Sequence, residues 1–282
     1  MDVSPLWNFA DPAASEAAFR AALTLGPSRD DALTLETQIA RSLGLRSRFA
    51  EAHAVLDAVE ARLAGAGTEP KVRYLLERGR VHRSSKAVDA SRSLFEEAAA
   101  RAGDAQLAGL QIDALHMVAL VASTPEERLL ANERALAAAL ASSDPSARRW
   151  EASLANNIGV ELHGLGRHEE ALSTFKRALA ARERLGKADG VRVARWTIAW
   201  TLRALKRHDE ALADLRALAA ELEAAGQADG FVFEELAENL AATGRNDEAR
   251  SFYAKAFAAL SADASLDRPD ADHLARLQGL SR

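Results

Sequence analysis

The residues best suited to chemistry lie in the C-terminal half of the chain. Arg192, Trp196, Trp200 and Arg203 fall at offsets of 0, 4, 8 and 11, which places them on one stripe of a helix. Aromatic faces beside guanidiniums offer contact area, cation–π stacking and pairing with a ligand carboxylate. Glu234, Glu235 and Glu238 form a carboxylate cluster, while Arg73, Glu77, Arg80 and Arg83 form a mainly basic one around Leu76. Asp113 stands one turn before His116, the spacing of an acid hydrogen-bonded to an imidazole. Signs of catalysis are otherwise sparse. Cysteine is absent, which excludes disulfides, thiolate metal sites and a cysteine nucleophile. The seven histidines include no HExxH or other two-histidine metal spacing. His163 and His168 flank a turn, and the HGLGR run (163–167) follows a helix rather than a strand, so it is no phosphate loop. No serine stands in a GxSxG context. The sequence therefore reads as that of a protein without catalytic residues, metal ligands or a cofactor.

Helices must position these groups. A length of 282 residues exceeds the usual single core, leaving two domains, one large barrel or an elongated stack of repeats. Alanine fills 64 positions and valine plus isoleucine only 16, a balance that favours helix over strand. The prolines at 5, 12, 27, 70, 125, 145 and 269 all avoid the apolar-periodic segments, so they mark helix starts and connections. Asp11-Pro12, Thr124-Pro125 and Asp144-Pro145 read as N-caps followed by a first-turn proline, and Thr124 with Glu127 fits a capping box.

Three segments align with one another without gaps in their core positions: LANNIGVELHGLGRHEEALSTFKRAL (154–179), RWTIAWTLRALKRHDEALADLRAL (195–218) and FEELAENLAATGRNDEARSFYAKAF (233–257). The pattern resembles the tetratricopeptide repeat, a helix–turn–helix unit with a small residue in its first helix and small, large and small residues along its second. Gly159, Ala199 and Ala237 are the first-helix matches. Ala171, Ala211 and Ala249, then Phe175, Leu215 and Tyr253, then Ala178, Leu218 and Ala256 are the second-helix matches. Earlier, looser copies read Ala40, Ala52, Leu56, Val59; Gly79, Ser91, Phe95, Ala98; and His116, Arg128, Asn132, Ala135. The second-helix small position recurs after 39, 37, 43, 40 and 38 residues, longer than the roughly 34 of the standard repeat. Arg128 and Asn132 make the third copy the most divergent. In such a unit the small residues let two helices approach, and the large residue fills the gap in the neighbouring unit.

The resemblance implies an all-α, right-handed α-solenoid of about six helix pairs (28–262), closed by an N-terminal capping helix (1–27, with Phe19 and Leu23 inward) and a C-terminal one (263–282). It forms a single domain over 1–282. It also implies that first helices line a concave groove that holds a protein or peptide. In this family an Asn two residues before the small position commonly binds a peptide backbone, and Asn157 stands there, with Asn156, Val160 and His163 also facing inward. The expected ligand-binding set is Arg80, Asp113, Trp150, Asn156, Asn157, His163, Arg192, Trp196, Arg203, Glu234 and Glu235. Of the two stripe tryptophans, Trp200 better suits packing between repeats. One end of the groove would be basic and the other acidic, a trough suited to an extended peptide of mixed charge. Two other readings stay open: a small-ligand or catalytic pocket around His116, His163 and Arg195, and a self-associating scaffold, for instance a homodimer.

Other partners are disfavoured. The net charge is -5 and neither half is basic, which argues against nucleic acid. No apolar stretch is long enough to span a membrane, and the N-terminus lacks the basic-then-apolar order of a signal peptide. A cytoplasmic adaptor is the expectation.

Overall fold

A computed structural model describes residues 1–186, 188–263 and 270–282. Pro269 and the start of the expected C-terminal cap, 264–269, lie outside the described residues. The chain divides into two compact units, Met1–Leu154 and Ala155–Arg282, and the described residues hold helices and no strand.

The first unit contains α1 (Pro12–Leu23), the pairs α2 (Arg29–Leu45) with α3 (Phe49–Glu60), α4 (Thr68–Ser84) with α5 (Val88–Asp104) and α6 (Ala108–Val121) with α7 (Pro125–Ala141), and the one-turn α8 (Pro145–Arg148). The boundary falls inside α9 (Glu151–Gly164). In the second unit α9 pairs with α10 (His168–Leu185), α11 (Ala188–Ala204) with α12 (His208–Ala224), and α13 (Gly230–Ala242) with α14 (Asn246–Ala262), followed by α15 (Ala271–Leu280). The fold is all-α, a solenoid of consecutive helix pairs.

The turns within pairs explain why each first helix stops where it does. Their central residue is left-handed in five of the six pairs: Ser47 (φ 59°), Lys86 (φ 69°), Gly166 (φ 75°), Lys206 (φ 61°) and Gly244 (φ 79°). That twist lets a later N–H reach back to an orphan carbonyl, as from Arg167 to Leu162 and from Arg207 to Leu202, both at 2.9 Å. The next helix then starts on an Arg whose guanidinium binds a Glu three residues on: Arg48–Glu51, Arg167–Glu170, Arg207–Glu210 and Arg245–Glu248. Such exposed pairs contribute little individually, but each holds a carboxylate in a helix's first turn, where the dipole favours it. Asp11, Thr124 and Asp144 all cap as their types predict.

Packing follows the small–large–small pattern. Leu56, Phe95, Phe175 and Leu215 are fully buried, as are Ala52, Ser91, Ala171 and Ala211 on the same helices. In the second and fourth pairs the large residue covers the small residue of its own pair's first helix. A Cβ on Gly159 would lie 2.5 Å from Phe175 Cε1, and a Cβ on Gly79 would lie 2.5 Å from Phe95 Cε1. The third pair departs from the rule: His116 and Arg128 stay partly exposed, although Asn132 is buried and returns its amide N–H to the Arg128 carbonyl at 2.9 Å. At the N-terminal end Phe19 is fully buried and Leu23 half-buried. Trp7 stacks on Phe9, meets Phe19 edge-on, and donates its indole N–H to Gln38 at 3.1 Å.

Candidate functional site

In the second unit the α11 stripe meets its neighbours as a continuous aromatic shelf. Trp196 and Trp200 lie parallel, centroids 5.9 Å apart, because they are one turn apart on α11. His163 of α9 stacks on Trp200 at 3.3 Å, and His168 follows at 4.6 Å from His163. The turn between the two histidines thus brings their rings together. At the other end Phe231 of α13 meets Trp196 edge-on, and the Trp196 indole N–H donates to the Phe231 carbonyl at 3.1 Å. Both tryptophans are half-buried, each with a ring on either side.

Charged groups form the rest of the wall. Arg203 donates to both oxygens of Glu235, at 2.6 and 3.0 Å. Glu235 is buried and also accepts from the Asn239 amide at 3.0 Å. Burial pushes its carboxyl above the usual range despite Arg203 beside it, and the same bond raises the Arg203 guanidinium. Glu234 accepts from His273 at 2.9 Å and from Arg276 at 3.0 Å, and Arg276 also pairs with Glu238. The shelf and these side chains enclose an open cup of about 310 Å³.

Other expected site residues sort by their partners. Asn156 accepts from Arg182 at 3.3 Å, whereas the half-buried Asn157 has no hydrogen-bond partner among the described residues. Arg192 is paired with Asp229 at 2.9 Å and Asp189 at 3.1 Å. Arg195 is committed to Asp214 and Glu221 of α12, each reached at 2.8 Å. A roomier hollow of about 450 Å³ opens near the start of α11, and three of its charges, Arg192, Arg195 and Glu221, pair with protein groups.

Arg80, Asp113, Trp150 and His116 belong to the first unit. Arg80 donates to both Asp113 oxygens, at 2.5 and 2.6 Å, and to Glu77 at 2.5 Å. Burial opposes both charges, yet Asp113 and Glu77 hold the guanidinium above its usual range, and Arg80 and Arg41 hold the Asp113 carboxyl below its own. Within the expected basic cluster, Arg80 is therefore paired inside the protein. Asp113 is also not the partner expected for His116, whose Nδ1 has no hydrogen bond and whose ring lies 5.5 Å from Trp150. Among the described residues no group of three His, Asp or Glu is placed to hold a metal ion, and no helix is long and apolar enough to cross a membrane.

Residues 150–220 match the family model for the tetratricopeptide repeat. That segment carries tetratricopeptide repeats. No curated protein matches it. The fold aligns with the apo form of RapI at a TM-score of 0.79 and 12% identity, covering 98% of this chain and 77% of that one. A Rap protein complexed with Competence and Sporulation Factor aligns at 0.53 and 16% identity, covering 90% and 73%. NprR in complex with its cognate peptide NprX aligns at 0.51 and 16%, covering 96% and 79%. At such identities the likeness is one of fold.

Three residues of the cup were not legible in the tetratricopeptide pattern. Phe231 precedes Glu234 by one turn, a spacing that was available as a signal. His273 and Arg276 sit on α15, beyond the last repeat, and no repeat position announces them.

The half-buried imidazole of His163 makes the second unit acid-sensitive. Burial first, then His168 and Arg203, pushes the His163 pKa from the ordinary 6.5 down to about 4. Folded His163 is therefore neutral where the unfolded side chain is protonated. Stability is full above pH 6.5 and is lost as pH falls toward 4, by about 1–2 kcal/mol after allowing for solvent near the ring. Urea midpoints for wild type and His163→Phe between pH 7 and 4 should diverge, the variant falling less steeply; parallel curves would refute this assignment.

Proposed function

We propose that this chain is a non-catalytic peptide-binding module and that the peptide lies against α9, α11 and α13 of the second unit. The observation that carries the reading is the aromatic shelf with its open cup. Four rings on three successive first helices are held parallel or edge-on by one another, with Trp196, Trp200 and Phe231 still in reach of solvent. Rigid rings of this kind give contact area at small entropic cost. Asn157 adds an uncommitted amide, able to donate and accept toward a peptide unit. Two proteins of the same fold are complexed with Competence and Sporulation Factor and with the peptide NprX, which is the ligand class proposed here. Affinity in the micromolar range is expected, because ordering a flexible segment offsets much of the contact energy. On this reading the chain is an adaptor. The rival pocket gains no support of its own: Arg195 is consumed by α12, and His116 and His163 belong to different units.

Selection of displayed random peptides on the immobilised protein tests the site. Wild type should enrich binders that an Asn157→Ala/Trp196→Ala double variant retains about 10-fold less well, the loss of roughly 1.4 kcal/mol. Equal retention by both proteins would remove the site from consideration.

A further inference from the structure

We infer that the cup of the second unit selects a basic side chain of the peptide, and that Arg276 of α15 competes with that side chain for Glu234 and Glu238. This rests on the peptide-binding reading above and adds the chemistry of one ligand residue. The cup brings two attractions of the same sign together. On one side stand the faces of Trp196 and Trp200, whose quadrupoles attract cations. On the other stand Glu234 and Glu238, one turn apart on α13 and therefore on one face. Glu235 makes a third carboxylate but is spent on Arg203 and Asn239. With His273 neutral, formal charge within the cup is three carboxylates against two guanidiniums, a surplus that a cation and not an anion would balance.

Arg276 shows the geometry the two outer carboxylates accept. Its guanidinium spans them, one nitrogen 3.0 Å from Glu234 and the other bonded to Glu238, the forked arrangement that suits an arginine. Its hold on the site is light. The side chain is 47% exposed, and Leu277 is the only buried residue of α15. The guanidinium is open to solvent while Glu234 and Glu238 are only 17% and 20% exposed, so a ligand cation that also covers a tryptophan face can take the place of Arg276 on carboxylates that stay in the wall.

The test selects displayed random peptides on wild type, on Glu234→Gln/Glu238→Gln, on Arg276→Gln and on Trp196→Ala. Trp196-dependent binders should carry Arg or Lys at one position well above library frequency, and the excess should vanish on Glu234→Gln/Glu238→Gln. A synthetic copy of one such binder should bind Arg276→Gln about 3- to 10-fold more tightly than wild type, since a competing cation is gone, and an Arg-to-norleucine copy should lose that gain. Trp196-dependent binders without a basic excess would overturn the inference and leave the peptide site standing. Absence of any Trp196-dependent binder would overturn both. Unchanged or weaker binding to Arg276→Gln, with circular dichroism showing α15 variants folded, would overturn the competition.

Discussion

Replacing Phe175 with alanine should lower the stability of the second unit by about 3–5 kcal/mol. The ring is fully buried and lies against Gly159, so truncation opens a cavity against a residue with no side chain to fill it. The same contact decides the sign of the reverse change. Glycine to alanine within a helix ordinarily gains about 1 kcal/mol. At Gly159 the new methyl would meet three ring atoms between 2.5 and 2.8 Å, and overpacking of that kind costs about 1–3 kcal/mol. Gly159→Ala alone should therefore destabilise, whereas in the Phe175→Ala background it should stabilise. A double-mutant cycle in urea reads this as a Gly159→Ala effect that reverses sign between the two backgrounds; additive effects would mean that the two residues do not touch.

Arg203→Ala should be of similar size, about 3–5 kcal/mol at neutral pH, because it strands a buried carboxylate. Glu235 is 3% exposed and keeps only the Asn239 amide once the guanidinium is gone. Its carboxyl is already raised by burial with Arg203 in place, so in the variant it is raised further. A raised acid is stabilised when protonated. The penalty should thus be greatest well above the ordinary 4.5 and shrink as pH falls toward that value. Glu235→Gln in the same background should recover part of the loss at pH 7, since a neutral amide needs no counter-charge. A penalty that does not change with pH would show that Arg203 contributes through packing alone.

Much of the fold was legible in the repeat pattern. Alanine and glycine at fixed offsets, a buried Phe or Leu between them, and capping Asp-Pro and Thr-Pro pairs are local signals, and each had its expected structural outcome. The stripe from Arg192 to Arg203 was legible too, because helical spacing alone sets which side chains share a face. What stayed hidden depends on which charge meets which. Nothing in the spacing of Arg80 tells that Asp113, on the next first helix, turns both carboxylate oxygens toward its guanidinium, leaving His116 without the partner one turn away on its own helix. The cup was hidden for the same reason. Arg276 and His273 reach Glu234 across about forty residues of chain, and only packing of α15 brings them there.

The left-handed turns carry a consequence of their own. Ser47, Lys86 and Lys206 hold a backbone conformation that costs an ordinary side chain roughly 1 kcal/mol, while Gly166 and Gly244 adopt it freely. Every such bend nevertheless joins two helices that touch directly, so each stretch of chain meets its lasting neighbours soon after it is made. Short-range assembly of this kind lets a nascent chain consolidate segment by segment as it leaves the ribosome, with no distant strand to await.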